Sequence, residues 1–186
     1  MKRIIDFCIA LMTLFILMPI IALLFLVIKV YDQGPFLHWS ERVGQNNINF
    51  QMPKIRTMSI NAPQIATHLM NHPDQYITKI GKILRNYSLD EIPQLICLLN
   101  GKMSLIGPRP ALFNQEDLVN LRTENGIHLM KPGLTGWAQV NGRDAISIKK
   151  KVDLEIFYKE KRNILLDIKI IYLTFRKVLT NENVTH

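Results

Sequence analysis

Tyr87-Ser88-Leu89-Asp90-Glu91-Ile92-Pro93-Gln94-Leu95 sets two adjacent carboxylates where a loop turns into an apolar helix. Proline is tolerated in a helix only within the opening turn, so Pro93 predicts a helix start close to Asp90. Ser88 and Glu91 also have the spacing of a capping box, which would start the helix at Ser88 instead. On either reading Asp90 and Glu91 lie at the positive end of the helix dipole, beside unpaired backbone N–H groups. Two uses of that setting stay open. Acidic residues cap first turns in many helices; the same setting keeps a carboxylate ionised and suits a phosphate attached to it.

Outward from this stretch, Arg85 lies close enough before Asp90 for a turn to bring its guanidinium to the same place. Leu95, Ile96, Leu98 and Leu99 bury the helix, and Asn100-Gly101 stops it. Lys102 to Ile106 reads as a short strand leading into Gly107-Pro108-Arg109-Pro110. Two prolines hold Arg109 in a rigid turn, which lowers the entropic cost of presenting it to an anion; a purely structural turn is the alternative. Gln115 to Gly126 predicts a polar surface helix. Lys131-Pro132-Gly133-Leu134-Thr135-Gly136-Trp137 and the residues to Arg143 form a glycine-rich shaped loop. Its Trp137 suits either core packing or a platform for a base or sugar ring, and Arg143 is a further candidate anion contact.

Upstream, Phe36 to Arg42 and Ile48 to Thr57 read as two strands joined by the turn Gly44-Gln45-Asn46-Asn47. Lys54 and Arg56 share one strand face, either as a solvated end or as a phosphate clamp. Ser59 to Tyr76 is polar and poorly periodic; His68 and His72 have metal-ligand spacing, but no Glu completes H-E-x-x-H and no metal site is expected there. Ile148 to Leu179 is the last helical region, apolar on two sides with Lys169, Arg176 and Lys177 between. It lies at a membrane interface or packs on the domain core. Residues 181–186 read as a disordered tail.

The chain opens with Lys2 and Arg3, and Phe7 to Ile28 contains no charged residue. These 22 residues would extend ~33 Å as a helix, enough for a hydrocarbon core of roughly 30 Å. A spanning anchor is one reading. Pro19 near the middle and basic residues at both ends favour another, a proline-kinked re-entrant helix that leaves both ends on the cytoplasmic side. Lysine and arginine number 23 against 15 acidic residues, a net +8, so an anionic partner is expected. Cys8 and Cys97 have no C-x-x-C spacing, so neither a disulfide framework nor a zinc site is indicated. Walker A, G-x-G-x-x-G and G-x-S-x-G patterns are absent, which excludes a standard P-loop or dinucleotide turn.

A membrane run, a carboxylate pair at a helix start and separated basic clusters make up the equipment of phosphoryl transfer. Magnesium is satisfied by one or two carboxylates with waters and substrate phosphates, so Asp90 and Glu91 are enough. Leu89-Asp90-Glu91-Ile92-Pro93-Gln94, Gly107-Pro108-Arg109-Pro110 and Lys131-Pro132-Gly133-Leu134-Thr135-Gly136-Trp137 resemble signatures of the bacterial sugar transferases, the monotopic phosphoglycosyl transferases. The resemblance runs from the N-terminal apolar segment to Leu179. It implies transfer of a sugar-1-phosphate from a UDP-sugar to a polyprenyl phosphate such as undecaprenyl phosphate, with release of UMP. It also implies that Asp90 is the nucleophile, that Glu91 helps hold magnesium, and that Pro19 kinks a re-entrant helix. Met18 stands where many relatives have serine, Ile55 replaces an aromatic between the two basic residues, and Asp144 stands where some relatives have Asn.

The expected architecture is therefore α+β and mainly helical. A re-entrant membrane helix (1–33) precedes a cytoplasmic catalytic domain (34–180) with interfacial amphipathic helices. The expected location is the inner membrane of a bacterium, with a lipid bilayer, a UDP-sugar and polyprenyl phosphate as partners and no nucleic acid. The expected phosphate contacts are Lys54, Arg56, Arg85 and Arg109. Two rivals remain: direct transfer in a ternary complex with Asp90 as a metal ligand only, and a non-catalytic basic module binding anionic lipid or nucleic acid.

Overall fold

A computed structural model of the chain describes residues 2–32, 34–62, 75–142 and 145–180. It is mainly helical, with two small two-stranded sheets. Helix α1 (Lys2–Asp32) remains helical through Pro19, whose missing N–H leaves the Phe15 carbonyl without its usual partner. Among the described residues it is the one helix long and apolar enough to cross a membrane. Its faces differ. Ala10, Leu14, Leu17 and Ile21 pack on a core built from Leu95, Leu98, Met52 and Met103. One and two turns further on, Leu24 and Ile28 pack with Ile55 and Leu84. Alternating steps of four and three residues keep this stripe on one side of the helix. Phe7, Leu11, Phe15, Met18 and Leu26 are exposed.

The first turn of α1 is bound by polar ties. Arg3 donates through Nη1 to the Leu98 carbonyl and through Nη2 to the Leu99 carbonyl at 2.6 Å, satisfying the last carbonyls of a helix that has no further turn to bond them. Gly101, at φ +74°, leaves the room this guanidinium occupies: a Cβ there would lie 2.9 Å from Arg3 Nη2. Asp6, buried, accepts a hydrogen bond from Ser104 Oγ at 2.7 Å. Lys2 reaches Asp167 at 3.5 Å and Tyr158 Oη at 3.2 Å, and Tyr158 donates to Asp167 at 2.7 Å. Basic residues that read as ordinary membrane flanks in the sequence thus hold the helix to the rest of the chain.

Strands β1 (Leu37–Val43) and β2 (Asn49–Ile55) form an antiparallel hairpin. Asn46 and Asn47, at φ 57° and 59°, supply the left-handed turn between them. The spacing of Ile48, Phe50 and Met52 predicts an inward-facing alternation. Phe50 and Met52 do point into the core while Asn49 and Gln51 are exposed, but Ile48 lies before the strand begins and is itself exposed. Helix α2 (Lys79–Asn86) begins at Thr78, whose side chain accepts from the Gly81 N–H. Then come a 3-10 turn (Leu89–Gln94) and α3 (Leu95–Leu99). Strand β3 (Ser104–Ile106) pairs in parallel with β4 (Gly133–Thr135), a strand that the glycine-rich stretch did not announce.

Helices α4 (Glu116–Glu124), α5 (Trp137–Val140), α6 (Ile148–Lys161) and α7 (Ile164–Thr180) complete the fold. Arg122 of α4 and Glu155 of α6 form a buried two-pronged ion pair, at 2.8 and 2.5 Å. The last helical region is two helices, because Asn163 Oδ1 accepts from the Leu166 N–H and caps a new start. The two faces of α7 have different environments. Leu166, Ile170, Ile171 and Leu173 pack with Ile106, Val140 and Tyr158, whereas Ile164, Ile168, Tyr172 and Phe175 are exposed. His68 and His72 and the tail 181–186 lie outside the described residues.

Candidate active site

The predicted helix start is real but differs in kind. Leu89–Gln94 is a 3-10 segment with Pro93 inside it, and the α-helix proper begins only at Leu95. Within an α-helix the Pro93 ring would meet the carbonyl of Leu89, so the tighter turn persists until the proline is passed. The capping box does not form. Ser88 sits in the left-handed region at φ 54° and its side chain makes no cap bond. An N-cap whose side-chain oxygen accepts from a first-turn N–H needs extended backbone, so the left-handed conformation of Ser88 does not support the cap. Glu91 is left to other partners: its Oε1 accepts from Arg109 Nη2 at 2.8 Å and from Lys54 Nζ at 3.3 Å.

Three chain segments thereby meet at one carboxylate. Lys54 comes from β2, which packs against the 3-10 turn, and Arg109 from the Gly107-Pro108-Arg109-Pro110 turn after β3. That turn is seated by backbone contact. The Gly107 N–H donates to Thr135 and the Gly133 N–H to Pro108. A Cβ on Gly133 would overlap the Gly107 amide, and one on Gly136 the Gly107 carbonyl. The glycines of the Lys131–Trp137 stretch therefore serve close approach, and what they approach is the turn that carries Arg109.

Asp90 is 8% exposed. Burial raises its carboxyl above the ordinary range and Glu91 adds to the rise, while Lys54, Arg85 and Arg109 oppose it. Burial lowers the Lys54 ammonium, against the pull of Glu91 and Asp90. Arg85 donates from Nε to Thr57 Oγ1 at 2.9 Å and lies within the electrostatic reach of Asp90. His38 is a residue that sequence reading passed over. It stands opposite Lys54 in the hairpin register, and burial, Lys54 and Arg42 all lower its pKa. Strand alternation alone would have put His38, Ser40 and Arg42 on the face of Lys54.

The other expected contacts are placed apart. Arg56 is buried, its guanidinium against Gly34, where a Cβ would come within 2.6 Å. Lys54, two residues earlier, is the cation of this strand that acts on both Glu91 and Asp90. Trp137 stacks on Phe157 at 5.7 Å between ring centroids and takes Lys169 over its ring, in the cluster of Tyr158 and Ile170. That is the packing alternative, on the α6–α7 side. Arg143 lies outside the described residues.

Two buried or half-buried carboxylates facing two or three cations can bind and attack a phosphoryl group. The profile of the bacterial sugar transferases matches residues 1–181. The chain belongs to the bacterial sugar transferase family. This transferase is similar to the uncharacterized sugar transferase EpsL of Bacillus subtilis, at 38% identity over 99% of the chain and 90% of that protein. It is 36% identical to the undecaprenyl-phosphate glucose phosphotransferase of Komagataeibacter xylinus over 98% of the chain, and spans 36% of that protein. It is 32% identical to the UDP-N-acetylgalactosamine-undecaprenyl-phosphate N-acetylgalactosaminephosphotransferase of Aeromonas hydrophila over 96% of the chain, spanning 44% of that protein. The chain spans less than half the length of the last two relatives.

Proposed function

We propose that the chain moves a sugar-1-phosphate from a UDP-sugar to undecaprenyl phosphate or a similar polyprenyl phosphate, releasing UMP, as the first membrane step of a bacterial glycan assembly. The observation that carries this reading is the buried Asp90 beside a Glu91 already held by Lys54 and Arg109. The names of the relatives, which include both glucose and N-acetylgalactosamine transferases, support the reaction class and leave the sugar open.

The proposed chemistry has two displacements at one phosphorus. An Asp90 carboxylate oxygen attacks the β-phosphorus of the UDP-sugar, the bond to the bridging oxygen breaks, and UMP departs with that electron pair. A phosphosugar-aspartyl anhydride remains. An oxygen of polyprenyl phosphate then attacks the same phosphorus and returns the carboxylate to Asp90. Dividing one hard step into two through a side-chain nucleophile is a general device. Lys54, Arg109 and Arg85 counter charge on the phosphoryl oxygens. Asp90 and Glu91 offer hard oxygen donors only, which fits magnesium shared with substrate phosphates; when bound, that ion would add positive charge at the transferring group.

Enzyme incubated with a UDP-sugar and no acceptor is expected to release a burst of UMP stoichiometric with enzyme. UMP release only when acceptor is added would favour direct transfer, and no release with any UDP-sugar would favour a non-catalytic module.

The membrane helix is proposed to be re-entrant, bent at Pro19, with the catalytic part on the cytoplasmic face of the inner membrane and the exposed α7 stripe at the interface. In support, Arg3 and Asp6 near one end of α1 and Ile28 near the other all contact the same body of the protein. A spanning helix would carry one end roughly 30 Å away. Single cysteines replacing Ile4 and Tyr31, both exposed, in a Cys8→Ser background test this. Both are expected to react with an impermeant reagent from the cytoplasmic side; labelling from opposite sides would defeat the hairpin.

A further inference from the structure

Gln94 is 1% exposed, and its Nε2 is buried without a hydrogen-bond partner among the described residues. It closes the 3-10 turn that opens with Leu89, and three residues per turn set it beneath Glu91 on the same face. An idle amide donor taken out of water costs free energy, and an apolar side chain of the same shape would not. A fold gains nothing by keeping such a group unless another state of the site uses it.

The ion pairs at Glu91 identify that state. The two cations on its Oε1, Lys54 and Arg109, are the same side chains that the proposed reaction turns toward phosphate oxygens. As they turn, Glu91 loses donors inside a poorly solvated site, and a carboxylate there needs replacements. We infer that Gln94 is a positioning residue for this site, its side-chain amide donating to the Glu91 carboxylate when a nucleoside diphosphate sugar draws Lys54 and Arg109 away. The inference rests on the phosphoglycosyl transfer reading. Gln94 works through Glu91 and touches no reacting atom. The sequence contains the residue in its central motif but gives no sign that its donor is unpartnered, because that depends on what the neighbouring strands bring against it.

Gln94→Met keeps length and removes the amide. The full chain in detergent or nanodiscs is expected to keep or raise its melting temperature, while kcat for UMP release falls roughly 10- to 100-fold with KM for the UDP-sugar little changed. In a Glu91→Gln background the same substitution is expected to cost no further activity, since partners in one interaction are not additive. Wild-type activity in Gln94→Met would overturn the inference, as would a steep fall in melting temperature, which would reveal a structural partner. A full additional loss in the Glu91→Gln background would also overturn it, by showing that the amide acts elsewhere. Absence of UMP release by the wild-type chain across UDP-sugars would instead remove the functional reading, and the inference with it.

Discussion

Asp90→Asn is expected to abolish sugar-phosphate transfer and the acceptor-free burst of UMP together, by roughly 10⁴-fold or more, because the attacking oxygen is replaced by an amide. The same variant is expected to melt at a higher temperature than the wild type at neutral pH. Burial holds the Asp90 carboxyl above its ordinary 3.8, so the folded state binds that proton more tightly than the unfolded state does. The stability this group contributes is complete below the unfolded value and is lost as pH rises through the folded one. At pH 7 the ionised Asp90 therefore weakens the fold, and asparagine removes the charge while keeping the shape. The difference in melting temperature should close on acidification.

Activity follows the opposite sign, since only the ionised form attacks. The acid limb of kcat/KM is expected above the usual aspartate range, and the alkaline limb below the usual lysine range, where the lowered Lys54 loses its proton. Full activity of Asp90→Asn would reject the nucleophile. A lower melting temperature at neutral pH would reject the burial account.

Gly133→Ala is expected to cost about 3–5 kcal/mol, lowering the melting temperature by about 10 °C or more, and to reduce transfer even in the fraction that folds. The added methyl would overlap backbone atoms of Gly107, just past the end of β3, and backbone tied by its own hydrogen bond to Thr135 cannot turn aside as a flexible side chain can. The strain falls on the turn that holds Arg109, so the ion pair with Glu91 should loosen as well. Circular-dichroism melting beside UMP-release kinetics checks both parts. Wild-type stability and activity would mean that β3 and β4 can separate without consequence for the site.

These two positions show different kinds of legibility. The placement of Asp90 at a helix start, with an arginine turn brought to the adjacent Glu91, was readable because acidic residues close before Pro93 and a proline-held Arg109 form a pattern that survives without coordinates. Gly133 was readable only as a turn former. Its use as a contact point for Gly107 depends on a parallel pairing across 26 intervening residues or more, which local composition does not encode. Strand alternation sent Phe50 and Met52 inward correctly and failed at Ile48, which precedes the strand and is exposed. It also put Lys54 and Arg56 on one face, but β2 ends at Ile55 and Arg56 turns against Gly34 beyond it. A strand rule stops where the strand stops.

The capping box failed for a related reason. Ser88 and Glu91 satisfy the local rule, but Glu91 has two cations available from other segments, and ion pairs in a half-buried site outweigh one cap. Trp137 was open between platform and packing until Phe157 and Lys169, on separate helices, were seen to occupy its ring.

By itself the sequence determined the apolar N-terminal helix, the mainly helical α+β class, the hairpin, and the acidic pair at a helix start, because period, charge and proline chemistry act over a few neighbouring residues. Only the tertiary structure decided that Lys54 and Arg109 meet at Glu91 and that Arg3 and Asp6 fasten the apolar helix. It alone showed that part of the glycine-rich stretch is a strand beside Gly107 and that Gln94 keeps a buried amide donor without a partner among the described residues. Each of these is a meeting of side chains or backbone from distant segments, set by which apolar faces the whole chain can bury at once.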